Sequence, residues 1–231
     1  MSRALPDRRP LVMAVTGRRA TGAGGPEAVV AQVEAAADAG VDLVQIREPS
    51  LTDRQLYSVV RQAVSRLAGG STQLLVNDRL DLALAVGGVG VHLRSHSVKG
   101  ADARRWLPAA LPLGRSVHSL AEARAAVEGG GLNYLVWGTV FPTVSKPGTP
   151  TCGPGPIREG SRTLSLPILA IGGITVDNSR EVFREGAAGV AAIGLFGEVR
   201  EPARLRSLVG EIRQRYIQSH GPDQATGLRR S

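Results

Sequence analysis

The stretch QLLVNDRLDLALAVGGVGVHL, residues 73–93, contains the unit from which the whole chain is built. Its first apolar run, Gln73–Val76, is short and ends on the polar pair Asn77-Asp78, the form of a buried strand running into a turn. Arg79–Val86 then carries Leu and Ala at helical spacing and stops at Gly87, the residue type that closes helices. Gly90–Leu93 resumes as a second strand, so the stretch reads as two parallel strands joined by a helical crossover.

The same alternation extends in both directions. Strands are expected at Leu11–Val15, Asp42–Ile46, Gln73–Val76, Gly90–Leu93, Leu113–Val117, Tyr134–Trp137, Ile168–Ile171 and Val190–Ile193. Helices are expected at Pro26–Ala39, Thr52–Leu67, Arg79–Val86, Ala101–Trp106, Leu120–Glu128, Ile157–Thr163, Val176–Arg184 and Pro202–Tyr216. Pro26 and Pro202 stand where a first helical turn tolerates proline, and Gly40, Gly87, Gly129 and Gly186 stand at helix ends. Eight βα units over residues 11–217 match a single (β/α)8 TIM barrel, an α/β fold, with residues 1–10 and 218–231 as flexible basic tails. A doubly wound sheet is the competing architecture, but it usually has fewer strands and an open Gly-rich first turn.

Composition narrows the function. The single cysteine, Cys152, excludes an intramolecular disulfide and points to a reducing, cytoplasmic setting. No apolar run approaches the roughly 20 residues that cross a bilayer, so no membrane partner is expected. The net charge of +8 sits largely near the termini, where residues 1–19 and 220–231 carry seven arginines against Asp7 and Asp223. With only 3% aromatic residues, the body has no stacking platform for nucleic acid, and none is expected as a partner.

In a barrel the chemistry lies at the C-terminal ends of the strands. Those positions hold Gln45-Ile46-Arg47-Glu48, Asn77-Asp78, His92 with Arg94, Ser116-Val117-His118-Ser119, Gly138-Thr139, Gly172-Gly173 and Gly194. Glycines directly after strands seven and eight let backbone N–H groups approach an anion, which makes Gly172, Gly173, Ile193 and Gly194 the expected phosphate-binding residues. The alternative for Gly172-Gly173 is a tight turn and nothing more. The loop from Phe141 to Pro156 is long enough to act as a lid, with Thr143, Ser145 and Lys146 as donors to the substrate. His118, flanked by serines at a strand end, is the expected general acid/base. His92 alternates with Val91 and Leu93 and is expected to point into the barrel as a hydrogen-bonded core residue. Asp78 either ligates magnesium or orients substrate, or else it caps the helix at Arg79. A second carboxylate is missing: after strand four the chain reads Arg94-Ser95-His96-Ser97, and no other strand end supplies an acid except Glu48, so the donor set is poor for magnesium and no metal is expected.

Taken together, Gln45-Ile46-Arg47-Glu48, Val76-Asn77-Asp78-Arg79, Gly90-Val91-His92-Leu93, Val140-Phe141-Pro142-Thr143 with Ser145-Lys146, and Ala170-Ile171-Gly172-Gly173-Ile174 resemble the thiamine phosphate synthase superfamily over roughly residues 11 to 215. The resemblance implies a (β/α)8 enzyme of thiamine biosynthesis that takes a phosphorylated thiazole. Two branches of that superfamily differ in chemistry. A synthase couples hydroxymethylpyrimidine diphosphate to thiazole phosphate with magnesium, and a thiazole tautomerase isomerises carboxythiazole phosphate to its aromatic form. Pro49 stands where synthases usually carry a diphosphate-binding lysine, and Ser97 where they carry a second magnesium-binding aspartate. The segment Gly114-Arg115-Ser116-Val117-His118-Ser119-Leu120 is similar to the tautomerase segment whose histidine is the acid/base. The tautomerase branch is therefore the main expectation. It makes His118 catalytic, Arg47, Asn77, Asp78, Thr143, Ser145 and Lys146 substrate-binding, and the enzyme cofactor-free. The synthase, with magnesium, and a non-catalytic thiazole-phosphate binder are the alternatives. The composition of the outer helix faces leaves room for a homodimer.

Overall fold

The computed structural model describes residues 4–17, 25–145, 147–197, 199 and 201–221. Eight parallel strands close into a barrel in sequence order: β1 Leu11–Val15, β2 Leu43–Ile46, β3 Gln73–Asn77, β4 Gly90–Leu93, β5 Leu113–Val117, β6 Tyr134–Trp137, β7 Ile168–Ile171 and β8 Gly189–Ala192. β1 pairs with both β2 and β8, so the sheet has no free edge. The described helices are α1 Gly25–Asp38, α2 Asp53–Arg66, α3 Leu80–Val86, α4 Gly100–Arg104, α5 Leu120–Glu128, α6 Gly155–Thr163, α7 Val176–Arg184, the single turn α8 Gly194–Gly197, and α9 Pro202–His220.

The strand period of two sorts side chains into two apolar bodies. Alternate residues such as Val12, Val44, Ile46, Val76 and Val91 face outward and join the buried faces of the helices in one continuous layer. Their neighbours Leu11, Met13, Leu43, Leu75, Tyr134, Val136 and Leu169 fill the interior of the barrel. Tyr134 fits there because β5 places Gly114 beside it: a Cβ on Gly114 would lie 2.1 Å from the tyrosine ring. Helix starts follow local chemistry. Thr52, Ser119 and Thr175 each accept a hydrogen bond from the backbone N–H three residues on, and Thr52 and Thr175 form reciprocal capping boxes with Gln55 and Asn178.

The structure corrects several boundaries. Residues 4–10 are not a loose tail: Pro10 is buried, Leu5 packs against the barrel interior, and Arg8 donates to Asp42. Asp42 lies just before β2 and not in it. Its fully buried carboxylate accepts from the Val12 backbone N–H at 2.8 Å and from Arg213 of α9 at 3.4 Å, so it ties the first strand and the last helix to the closed end of the barrel. α9 runs on through His220, past the expected boundary at 217, before Gly221 ends it. β8 lies one residue earlier than expected, which leaves Ile193 in the turn after the strand.

Candidate active site

The C-terminal ends of the strands open into a cavity of about 980 Å³. Among the described residues, its wall holds Arg47, Asn77, Ser116, His118, Thr143, Ser145, Gly172, Gly173, Ile193 and Gly194, so most of the expected site is brought together. Lys146 lies outside the described residues. Because the barrel closes in order, the glycine ends of β7 and β8 face the ends of β3 and β4 across the mouth.

On the β7–β8 side the backbone itself shapes the site. Gly173 has φ 62°, and a Cβ there would sit 2.3 Å from the Pro142 carbonyl oxygen. Only glycine allows the β7–α7 turn to pass so close to the β6–α6 loop. That loop is tied at its base: Val140 N–H donates to Ile171 at 2.9 Å, and Cys152 N–H to Thr139 at 2.9 Å. Asn178 of α7 donates to the Gly173 carbonyl at 2.8 Å, which steadies the turn from the other side.

The floor is a histidine network. His92 is 2% exposed, and its two ring nitrogens meet the Tyr134 hydroxyl at 3.1 Å and the Ser116 hydroxyl at 2.9 Å. Burial lowers its pKa to about 4 against a smaller opposing pull from Asp78, so the ring is neutral at pH 7. It is the hydrogen-bonded core residue that the alternation with Val91 and Leu93 implied. His118 lies higher, on the cavity wall, with Nδ1 2.5 Å from the Gly138 carbonyl oxygen. A carbonyl only accepts, so Nδ1 carries the proton and Nε2 is the basic nitrogen. The Glu122 carboxylate receives the His118 backbone N–H at 2.9 Å and holds the β5–α5 turn in place.

The β2–β4 side differs from expectation at Asp78. Its backbone adopts φ 56°, and its carboxylate turns to Arg94, whose Nε donates at 2.6 Å, and to Ser97, whose hydroxyl also donates. Burial pushes its pKa up, but the Ser97 and Arg94 hydrogen bonds outweigh this and hold it below the usual carboxylate range. Asp78 therefore does not line the cavity, and it does not cap α3, whose N-cap residue is Arg79. In its place the wall on this side carries Arg94, which the sequence places at a strand end without a role; Arg204, from α9 after β8, also lines the cavity. Gln45 donates to Asn77 at 2.9 Å, and Thr16 accepts the Arg47 backbone N–H at 3.0 Å, so the β2 and β3 ends are fixed to each other and to β1.

Among the described residues, no carboxylate lines the cavity, whereas Arg47, Arg94 and Arg204 do. Among the described residues, no group of three or more His, Cys, Asp or Glu side chains is placed to hold a metal ion. Magnesium wants several carboxylate or phosphate oxygens; Asp78 is already satisfied by Arg94 and Ser97, and Glu48, the other strand-end carboxylate, is buried outside the cavity wall. The residues present do not fit a magnesium site.

These features define a class: a (β/α)8 barrel whose open end holds a glycine turn and arginines around one cavity. A family model described as thiamine monophosphate synthase matches residues 12–196, and the chain belongs to that family. It is similar to a thiamine-phosphate synthase of Haloquadratum walsbyi, 38% identical over 83% of this chain and 87% of the relative. It is also similar to one of Marinobacter nauticus, 36% identical over 92% and 93%. Among solved structures, a thiamine phosphate pyrophosphorylase from Pyrococcus furiosus superposes with a TM-score of 0.77 at 29% identity, covering 93% of this chain and 99% of that one. The names of these relatives favour the synthase over the tautomerase that Pro49, Ser97 and His118 led the sequence reading to prefer, and they lend no support to isomerase chemistry. No described helix is long and apolar enough to cross a membrane.

Proposed function

We propose that this chain is a thiamine-phosphate synthase, joining a hydroxymethylpyrimidine diphosphate to a thiazole phosphate. The observation that carries the reading is the cavity of about 980 Å³ with anion-attracting groups at two facing ends and no carboxylate on its described wall, in a chain whose relatives bear that name. Two phosphorylated substrates need two such ends. In this reading the thiazole phosphate rests on the backbone at Gly172, Gly173 and Gly194, with Thr143 and Ser145 above it, and the diphosphate rests against Arg47 and Arg94. The bond between the pyrimidine methylene carbon and the diphosphate oxygen breaks, and its electron pair leaves on pyrophosphate. The thiazole nitrogen lone pair forms the new C–N bond. The chain supplies proximity and charge stabilisation of the leaving group.

One feature favours a second reading. His118, with Nδ1 fixed on Gly138 and Nε2 basic, is built to move a proton, which coupling does not require and tautomerisation does. The two are separated by ³¹P and ¹H NMR. Given pyrimidine diphosphate and thiazole phosphate, with and without magnesium, a synthase releases pyrophosphate and forms thiamine phosphate. Given only the non-aromatic carboxythiazole phosphate, a tautomerase aromatises it, and His118→Ala slows that reaction by roughly 10²–10⁴-fold. Aromatisation without any pyrophosphate release refutes the synthase reading.

A further inference from the structure

We infer that Arg94 takes the place of a divalent cation in this cavity, so that the substrate's second anionic group is held by a guanidinium without any metal. The inference deepens the synthase reading and rests on it for the identity of that group, a diphosphate. It begins with Asp78, the one carboxylate at the β3 and β4 ends. Both of its oxygens are taken, Oδ2 by Arg94 Nε at 2.6 Å and Oδ1 by the Ser97 hydroxyl. A cation approaching Asp78 must first displace a guanidinium already neutralising it. The carboxylate side chain is only 16% exposed while that of Arg94 is 58% exposed, so an incoming anion meets the arginine and not the aspartate.

Arg94 is also held in position before any ligand arrives. Its backbone N–H donates to Ser97 Oγ at 3.1 Å, which closes the β4–α4 turn on itself. Beneath that turn, the guanidinium of Arg115, a residue only 8% exposed, donates to the carbonyls of Ser95 at 2.9 Å, Ser97 at 3.3 Å and Val98. With Nε spent on Asp78, the two terminal nitrogens of Arg94 remain for a bidentate contact with a phosphoryl group. Arg47 lines the cavity just after β2, and across the mouth from the β4 end that carries Arg94 is the glycine cup, which leaves the thiazole end undisturbed. Because Asp78 and the pinned turn fix Arg94 beforehand, little side-chain freedom is lost when the anion binds.

The test is calorimetric titration of inorganic pyrophosphate into the full chain presaturated with thiazole phosphate, in EDTA and again in magnesium, for wild type, Arg94→Ala and Arg94→Lys. The expected result is binding in EDTA at least as tight as in magnesium, weakened about 10- to 100-fold by Arg94→Ala and less by Arg94→Lys. Thermal unfolding of the variants checks that they fold. Binding that requires magnesium, or that Arg94→Ala leaves unchanged, overturns the inference. If thiazole phosphate itself fails to bind, the synthase reading falls. Pyrophosphate titrated into the unliganded wild type and Arg94→Ala then still decides the role of Arg94 by the same criteria.

Discussion

The neutral histidine on the cavity floor makes the stability of this barrel depend on pH in a defined window. His92 is buried between Tyr134 and Ser116, and burial lowers its pKa from 6.5 to about 4. In the unfolded chain the same imidazole takes up its proton near 6.5. Between those values the unfolded state binds a proton that the folded state refuses, so stability is full above pH 6.5 and is lost as pH falls toward 4. A displacement of that size is worth about 3 kcal/mol, which for a domain of this length lowers the melting temperature by roughly 6–12 °C. The assay is thermal and urea unfolding at pH 7 and pH 4.5 for wild type and for His92→Gln, which keeps hydrogen-bonding groups for Tyr134 and Ser116 but does not titrate. The variant is expected to be less stable at pH 7 yet to lose much less between the two pH values, since Asp78 and Asp81, whose pKa values are held low, add their share only in more acidic solution. If wild type and variant lose the same stability over this window, the assignment of a buried neutral imidazole is wrong.

Three further perturbations separate the parts of the site. Gly173→Ala puts a Cβ 2.3 Å from the Pro142 oxygen at a φ of 62°; the expected cost is about 2–4 kcal/mol by unfolding. A loss of thiazole-phosphate affinity of at least tenfold by calorimetry should accompany it, and an unchanged affinity would remove the glycine cup from the argument. Asp42→Asn keeps the shape at the closed end but strips the charge that Arg8 and Arg213 share, and should cost about 2 kcal/mol in urea unfolding with ligand binding untouched. Pro49→Lys adds a cation beside Arg47 on the cavity wall, and pyrophosphate should bind roughly three- to tenfold more tightly at low ionic strength, with the gain disappearing at high salt.

Much of the fold was legible because each strand is a short apolar run stopped by chemistry that a parallel βα unit needs. β4, β5, β6 and β7 fall where the runs fall, and α5 and α7 begin after the capping residues Ser119 and Thr175. The slip at β8 has a physical cause: in Val190-Ala191-Ala192-Ile193 both faces of the strand are apolar, and nothing in the residue types marks where the ladder ends. His118 and the glycines were readable for a similar reason, since the fold sends whatever follows a strand to the same rim. Asp78 was readable as a strand-end residue and misleading as a ligand, because its direction depends on a left-handed backbone and on Arg94 from the neighbouring strand. Arg204 could not be found from its neighbours in sequence at all, since α9 carries it to a rim otherwise made by turns after strands.

The two sides of the cavity are built from different materials, and this bears on how far a family name reaches. On the β7–β8 side the anion would meet backbone N–H groups, whose positions follow from the turn itself and from Gly172 and Gly173, which no other residue can replace without collision. That part of the site comes with the barrel. On the β2–β4 side the groups are side chains, such as Arg47 and the Arg94 held against Asp78, and a substitution there alters the charge presented without disturbing a strand. Likeness in sequence and fold to thiamine-phosphate synthases therefore speaks most directly for the phosphate cup and for the class of substrate that rests on it. In the proposed reading the reaction depends on the rest of the rim, where the chain offers guanidinium groups after β2 and β4 and the basic nitrogen of His118 after β5. If Arg47 and Arg94 stabilise a departing pyrophosphate, coupling proceeds with protein cations in the role of a metal. If they hold only a carboxylate, the same geometry leaves His118 as the group that moves the proton.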